Sequence, residues 1–300
     1  MVLLKLIFDL QRLHQWKLHV WHGDHSWHNE SGYIAKELKD WCHKRNLNFF
    51  SDCTTQERTK SEARARDWRY KQLASTAKAL SSKDHDPPCY HVLTGHTATD
   101  RAETLLLNLA RGADLKGITS LKESRILNGE IHLVRPLLGF SRDETDLICK
   151  EMKLPVWIDP SNKNTNFSRN RVRQQIIPVL EELHPGCSMR MASLAERLCH
   201  YEQDQQAMAN LLLEVLENPE GLCRQTLSKM PVSARTTLLA NWLKRKGAPG
   251  LSALQLEELS IKTGKQKPPG CIHLAKGWKI SWERGSIHLE HPNASSETKN

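Results

Sequence analysis

The chain has 300 residues, of which 39% are hydrophobic, and this excludes a disordered protein and allows one sizeable core plus a smaller second domain. Lys and Arg number 43 against 34 Asp and Glu, and the formal net charge of +9 favours a polyanionic partner. The eight cysteines form no C-x-x-C pair and no zinc-finger spacing, which predicts reduced, structural thiols.

Helical and strand patterns alternate through the first half of the chain. The predicted elements are a helix over 2–14, a strand over 16–21, a helix over 31–45, strand 48–51, helix 61–80, strand 90–94 followed by a helix, an irregular connection over 114–129, strand 131–137 and a helix capped by Ser141 and Glu144. This alternation predicts an α/β fold with a doubly wound parallel sheet. Because no signal peptide or long apolar window is present, we expect a cytoplasmic protein.

The second half has a different pattern. Residues 188–217 predict a long helix, and 218–246 are helical with Pro231 at a helix start and a buried stripe of Leu238, Leu239, Trp242 and Leu243. Residues 271–290 predict three short antiparallel strands. We therefore expect a catalytic domain over 1–186, a helical linker over 187–217, a small α+β domain over 218–292 and a disordered tail over 293–300.

A polar turn follows the strand at 90–94 and carries His96, Asp100 and Glu103. Ligands bind at the carboxyl ends of strands in open parallel sheets, so the turn is a candidate site. Asp100 and Glu103 also stand where a capping box would close the start of the next helix. Taken alone, the two acidic residues fit a structural role as well as a functional one.

The strand at 16–21 runs into a second polar cluster, HGDHSWH, at 22–28. Its three histidines and one aspartate suggest a metal, but the cluster lacks a helical i, i+4 His pair with a third ligand. A metal site is therefore disfavoured. On the helix at 61–80, Arg66 and Arg69 share a face with Glu62, a pattern that by itself is also typical of a solvated surface.

Arginines are concentrated after a turn-rich loop, DPSN, at 159–162. Arg169, Arg171 and Arg173 precede an apolar helix and, as forked, stacking cations, suit phosphate and base contacts. A solvent-facing charge run is the alternative.

Four segments in this order resemble the tRNA(Ile)-lysidine synthases, which are PP-loop ATP pyrophosphatases: HGDHSWH, EARARDWRY, GHTATDRAETLLLNLARGADLKG, and RPLLGFSRDE followed by DPSNKNTNFSRNRVR. The resemblance covers 1–186 closely and the remainder loosely. It implies a PP-loop, adenine nucleotide hydrolase-like fold and a ligase that uses ATP and Mg²⁺ to adenylate C2 of the wobble cytidine (position 34) of the CAU-anticodon tRNA(Ile). L-lysine would then displace AMP to form lysidine, which changes codon recognition from AUG to AUA.

The resemblance also implies roles for individual residues. The implied catalytic residues are Asp100, Glu103 and Arg66, the implied ATP-binding residues are His22, Asp24, His25, His96 and Arg111, and the implied tRNA-binding residues are Arg169, Asn170, Arg171 and Arg173. In that scheme the two carboxylates hold the lysine and accept its proton. The small C-terminal domain would hold the body of the tRNA.

The chain departs from the family pattern in several places. The family's SGGxDS phosphate loop is absent and 1–11 resembles the helix that follows it, so we expect the first strand and that loop to be missing from the amino terminus. Thr99 and Arg101 replace a usual Asp and Gln, and His28 replaces a usual Arg. Two alternatives therefore stay open, a tRNA-thiolating PP-loop enzyme and an inactive tRNA-binding remnant. The oligomeric state is also open, a dimer included.

Overall fold

The computed structural model describes residues 1–26, 31–55, 61–81, 88–157, 160 and 164–291. It divides into two compact units, Met1–Cys199 and His200–Asn300, and each is described by itself. The predicted domain limits given above stay predictions. His28, most of the DPSN loop and the predicted tail at 293–300 lie outside the described residues.

The first unit alternates helices and strands. Its helices are α1 (Val2–His14), α2 (Ser31–His43), α3 (Glu62–Leu80), α4 (Ala98–Ala110), α5 (Leu115–Ile118), α6 (Arg142–Glu151), α7 (Ser168–Arg171) and α8 (Ile177–Leu183), with a π-helical turn (Val172–Ile176) before α8, and α9 (Cys187–Leu216) contains the boundary between the units. Its strands are β1 (His19–Asp24), β2 (Asn48–Cys53), β3 (His91–Leu93), β4 (Ser124–Asn128) and β5 (Ile131–Val134). β1 pairs with β2, and β3 with β5, in parallel, so the predicted α/β class is confirmed.

Two local predictions in this unit need correction. Residues 124–128 were expected in an irregular connection but form β4, which pairs antiparallel to β5 at the edge of its sheet. The alternating exposure along β4 has period two, but a strand of only five residues gives a weak signal in the sequence. The first strand also lies later in the chain than predicted, because it occupies His19–Asp24 and not 16–21.

Apolar side chains from helices and strands form the cores of the first unit. Val92, Ile131 and Leu133 of the β3–β5 pair are buried against Ala77 of α3. Burying such side chains is the main driving force for folding and keeps the strand ends in place. At the start of α6, Ser141 and Glu144 form the predicted capping box.

The second unit contains an antiparallel sheet packed on helices. Its elements are α10 (Arg224–Leu227), α11 (Val232–Arg245), α12 (Ala253–Lys262), β6 (Glu217–Asn218), β7 (Gly221–Cys223), β8 (Gly270–His273), β9 (Lys279–Trp282) and β10 (Ser286–Glu290), with strand order β6-β7-β10-β9-β8. The predicted three-strand meander is confirmed. The predicted stripe of α11 is buried at Leu238, Leu239, Trp242 and Leu243.

The start of the second unit differs from the prediction, because β6 and β7 occupy a segment expected to be helical. Gly221 explains the hairpin: its φ is +121°, and a Cβ there would lie 2.2 Å from the Ile287 carbonyl oxygen. Only glycine allows β7 to approach β10 this closely.

Within the parts of the chain that the structure describes, no helix combines the length and the apolar character that a membrane span requires.

Candidate active site

A cleft of about 850 Å³ lies in the first unit where β1 and β3 end. Its lining includes His22, Asp24 and His25 from the end of β1, Arg66 from α3, and His96 and Asp100 from the turn after β3. A cleft at strand carboxyl ends is the position expected for a ligand site in an α/β sheet, and its volume is in the range of small-molecule pockets. The structure therefore brings these six sequence-predicted site residues to one place.

The turn after β3 is closed by a capping box different from the one predicted. Thr97, not Asp100, is the N-cap of α4, and Asp100 is the N3 residue whose Oδ2 accepts a hydrogen bond from the Thr97 backbone nitrogen at 2.8 Å. Glu103 takes no part in the cap. The missed signal was the Thr-x-x-Asp spacing, one turn earlier than the Asp-x-x-Glu spacing. Asp100 thus has a structural role in addition to its place at the cleft.

Asp100 and Glu103 are joined to three arginines from distant segments. Arg169 donates from Nε to Glu103 at 2.7 Å and from Nη2 to Asp100 at 3.2 Å. Arg173 donates to both Glu103 oxygens, at 2.6 and 2.9 Å, and Arg142 donates to Asp100 at 3.1 Å. Because Glu103 is completely buried, these charge-assisted bonds replace the water it has lost.

This acid–arginine cluster is positively charged at its cleft side. Two carboxylates face three guanidinium groups, and Arg142, Arg169 and Arg173 all line the cleft, whereas Glu103 is not among the lining residues. Burial alone would raise the pKa of Asp100, but the charges of Arg169 and Arg142 outweigh it and hold that pKa below its usual value. A carboxylate in this environment is a poor proton acceptor.

His22 and His96 of the cleft favour their uncharged forms at neutral pH, because the pKa of each lies below its usual value. Burial lowers the pKa of His96 to about 3, an effect that Asp100 opposes and that three nearby arginines reinforce. Burial also lowers the pKa of His22, against the raising effect of Asp24. His96 Nδ1 is 2.9 Å from the Thr94 hydroxyl. Both imidazoles can therefore form hydrogen bonds with a ligand but add no positive charge.

The end of β1 is supported by α3. Arg69 Nη2 lies 3.1 Å from His25 Nε2, and the Trp68 ring packs edge-on against His25 with a centroid distance of 4.8 Å. Asp24 accepts a hydrogen bond from the Ser26 backbone at 2.7 Å, which shapes the turn. These contacts place the HGDHSWH segment at the cleft as far as Ser26, the last of its described residues.

Other predicted site residues lie elsewhere. Arg111 is exposed at the C-terminal end of α4, more than a dozen residues and roughly 20 Å of helix from the turn, so its prediction as an ATP-binding residue is not supported by its position. Arg171 is exposed and does not line the cleft, whereas Asn170 is buried and does. Thr99, in place of a usual Asp, accepts a hydrogen bond from the Arg142 backbone at 3.1 Å.

Arg142 is a site residue that sequence reasoning missed. Its segment was recognised in the sequence. An arginine that directly follows an N-cap, however, gives no local sign of a partner more than forty positions away.

Within the described residues, no group of three or more His, Cys, Asp or Glu side chains is arranged to hold a metal ion.

The sequence matches two family models in the order that the fold suggests. A PP-loop domain matches residues 1–180 and a TilS substrate binding domain matches 222–288. The tRNA(Ile)-lysidine synthase of Prochlorococcus marinus is 52% identical over 96% of this chain and 86% of that protein. The tRNA(Ile)-lysidine synthase of Parasynechococcus marenigrum is 45% identical over 98% of this chain and 86% of that protein.

The chain belongs to the tRNA(Ile)-lysidine synthase family. The resemblance predicted from four motifs is confirmed, and the PP-loop domain of this family implies the use of ATP. Among solved structures, the U34-tRNA thiolase NcsA from Methanococcus maripaludis matches with a TM-score of 0.48 and 16% identity over 64% of this chain and 67% of that chain.

In this tRNA(Ile)-lysidine synthase family member, both residues of the acidic pair and two arginines of the DPSN–RNRVR segment belong to one cluster. Arg169 and Arg173 are therefore not a solvent-facing run, and that alternative is wrong for them. Arg171 alone of the three faces solvent. The segment thus contributes both to the cleft and to the surface beside it.

Proposed function

We propose that the chain is an ATP-dependent carbon–nitrogen ligase that forms lysidine on the CAU-anticodon tRNA(Ile). The C2 carbonyl oxygen of the wobble cytidine attacks the α-phosphorus of ATP and diphosphate leaves. The ε-amine of L-lysine then attacks C2, AMP leaves with the oxygen, and the amine gives up a proton. Adenylation converts a poor leaving oxygen into a good one, which is why ATP is consumed.

The observation that carries this proposal is the positively charged wall of the cleft. Arg142, Arg169 and Arg173 are held by buried carboxylates and so are oriented before any substrate arrives. Preorganised cations of this kind stabilise charge that develops on departing phosphate groups without further rearrangement. ATP and a tRNA backbone are both ligands that such a wall would attract.

The roles of the two acidic residues are revised in this proposal. Since Asp100 and Glu103 are neutralised by arginines, we assign them to positioning those arginines and not to accepting a proton from lysine. Asp146 of α6 also lines the cleft, and among the described residues no cation pairs with it. Its carboxylate is better suited to bind the lysine amine and to accept the proton.

Mg²⁺ would enter this site together with the nucleotide. Protein-bound Mg²⁺ commonly uses substrate phosphates and water with only one or two carboxylates, and Asp24 offers one in the cleft. When bound, the ion would neutralise phosphate charge. His22 and His96, whose pKa values are lowered by burial, would serve as hydrogen-bonding groups beside it.

Two alternatives are less well supported. A thiolating enzyme normally needs catalytic or cluster-binding cysteines, and the eight cysteines are free thiols without a C-x-x-C pair. An inactive tRNA-binding remnant would keep the basic surfaces but would not need three arginines fixed at the cleft.

The test is incorporation of labelled L-lysine into a tRNA(Ile) transcript with a CAU anticodon, for the chain and for a version extended upstream of Met1. We expect incorporation that depends on ATP and releases AMP and diphosphate. A transcript with uridine at the wobble position is the matched control and should remain unlabelled. Failure of both protein versions to label the CAU transcript, with tRNA binding retained, would instead establish the remnant.

A further inference from the structure

Tyr70 lies between the cleft and the hydrophobic core. It is on α3, one helical turn after Arg66, and both residues line the cleft. The inner part of its side chain packs against the core cluster that contains Val92 and Leu133. Tyr70 is therefore half-buried and held from behind, which is the situation of a rigid support and not of a mobile surface group.

Two arginines rest on the Tyr70 ring. The Cζ atom of Arg66 lies 5.0 Å from the ring centroid, and that of Arg125, from β4, lies 4.8 Å from it. Among the described residues, neither guanidinium has a hydrogen bond or an ion pair with a carboxylate, whereas Arg142, Arg169 and Arg173 all do. The aromatic face is thus the main directional contact of Arg66, through the ring's negative quadrupole.

A third arginine completes the group. Arg135 is 1% exposed, and its Nε and Nη2 atoms form no hydrogen bond within the described residues. Burial would raise the pKa of the Tyr70 phenol, but the charge of Arg66, a hydrogen bond with Arg135 and the charges of Arg135 and Arg125 outweigh it and lower that pKa. Three like charges that form no ion pair with a carboxylate of the described residues repel one another, so the site needs something that keeps Arg66 in place.

We propose that Tyr70 is a positioning residue that holds Arg66 at the cleft wall through its ring, so that a phosphate group of the substrates meets a guanidinium already in place. This rests on the proposed function, in which ATP and tRNA phosphates enter the cleft. A long arginine side chain left unsupported would lose rotamer entropy on binding, and the ring removes part of that cost beforehand. Arg125 and Arg135 raise the positive potential behind the ring.

The variants separate the effect of the Tyr70 ring from the effect of its hydroxyl group and from a general loss of stability. Y70F keeps the ring, whereas Y70L and Y70M remove it, and R66M removes the cation. The matched control is Y33L, which replaces an exposed tyrosine of α2 by leucine. We expect Y70L to lower kcat/KM for lysine incorporation about fivefold to tenfold, with Y70F and Y33L within about twofold of the parent. Because Tyr70 acts through Arg66, adding Y70L to R66M should cause no further loss.

A second measurement does not depend on activity. Relaxation of the Arg66 ¹⁵Nε–H group should show an ordered side chain in the parent protein and Y70F, and a mobile one in Y70L. If Y70L does not fold, Y70M, which fills the space without a π face, takes its place. Losses that multiply in the double variant, or Arg66 equally ordered without the ring, would overturn the proposal. If the parent protein fails to incorporate lysine, the function is wrong, while the relaxation data still decide the role of Tyr70.

Discussion

Glu103 is the residue on which the arrangement of the cleft arginines most depends. Its side chain is fully buried and its two oxygens accept from Arg169 and Arg173. A buried ion pair adds little net stability compared with an apolar replacement, but removing one partner leaves the others uncompensated. The carboxylate therefore acts mainly by fixing where the arginines point.

We expect Glu103→Gln to lower the free energy of unfolding of the first unit by about 2–4 kcal/mol, because two half-buried guanidinium groups lose their charged acceptor. Glu196→Gln is the matched control, since its 3.6 Å pair with Arg101 is half-exposed, and it should cost less than about 1 kcal/mol. Urea denaturation, monitored through the hydrogen exchange of the α4 amides, measures the free energy of unfolding of both variants. Equal losses in the two variants would contradict the role assigned to Glu103.

At the scale of elements, the start of α9 is organised by a side chain from α8. Glu181 accepts hydrogen bonds from the backbone nitrogens of Gly186 at 2.6 Å and Ser188 at 2.9 Å, and from the Ser188 hydroxyl. These are donors that a helix N-terminus leaves without intrahelical partners. The hydrogen bonds from Ser188, above all, lower the pKa of Glu181 to about 2, against the raising effect of burial.

The pH dependence of this cap follows from that shift. The folded pKa lies below the ordinary value near 4.5, so the contribution to stability is complete above pH 4.5 and is lost as the pH falls toward 2. Glu181→Gln should therefore lower the free energy of unfolding by about 1 kcal/mol at pH 7 and by progressively less below pH 4.5. Urea titrations at pH 7 and pH 3 measure the difference.

Cys187 gives an independent check of the same cap. Burial raises the pKa of its thiol and the Glu181 charge raises it further, so Glu181→Gln should increase the rate of alkylation by iodoacetamide at pH 8. Ser188→Ala keeps the charge and should leave that rate nearly unchanged. In the urea titrations of Glu181→Gln, a cap that does not depend on the carboxylate would instead show the same loss of stability at pH 7 and at pH 3.

How much the sequence predicted depends on whether the signal was local. The α6 box at Ser141, the stripe of α11 and the β8–β10 meander follow from spacing within about twenty residues, and all are confirmed. The acid–arginine cluster joins Asp100 and Glu103 to residues 42 to 73 positions away, and no periodicity reports such a contact. The position of the acidic pair after a strand, the arginine-rich segment and the family resemblance each pointed to residues of this cluster, but none of them revealed that the residues are paired.

At the scale of the whole molecule, two family modules follow one another in the chain. The PP-loop domain match at 1–180 contains the cleft, and the substrate binding domain match at 222–288 contains the antiparallel sheet with α11 and α12. A net charge of +9 gives the chain a general attraction for polyanions. Such attraction does not by itself distinguish one tRNA from another, so specific contacts must be identified against this background.

Arg171 is the best candidate for such a contact, because it is exposed beside the cleft while its neighbours Arg169 and Arg173 are committed to carboxylates. We expect Arg171→Ala to weaken binding of the tRNA(Ile) transcript and to reduce the slope of log K against log salt by about 0.7–0.9, the loss of one phosphate contact. Arg12→Ala, an exposed arginine at the end of α1, removes the same charge and should leave the slope unchanged. Fluorescence anisotropy between 50 and 200 mM salt, roughly the range where such slopes are measured, gives both values. Equal slopes for the two variants would mean that Arg171 contributes only to the general charge.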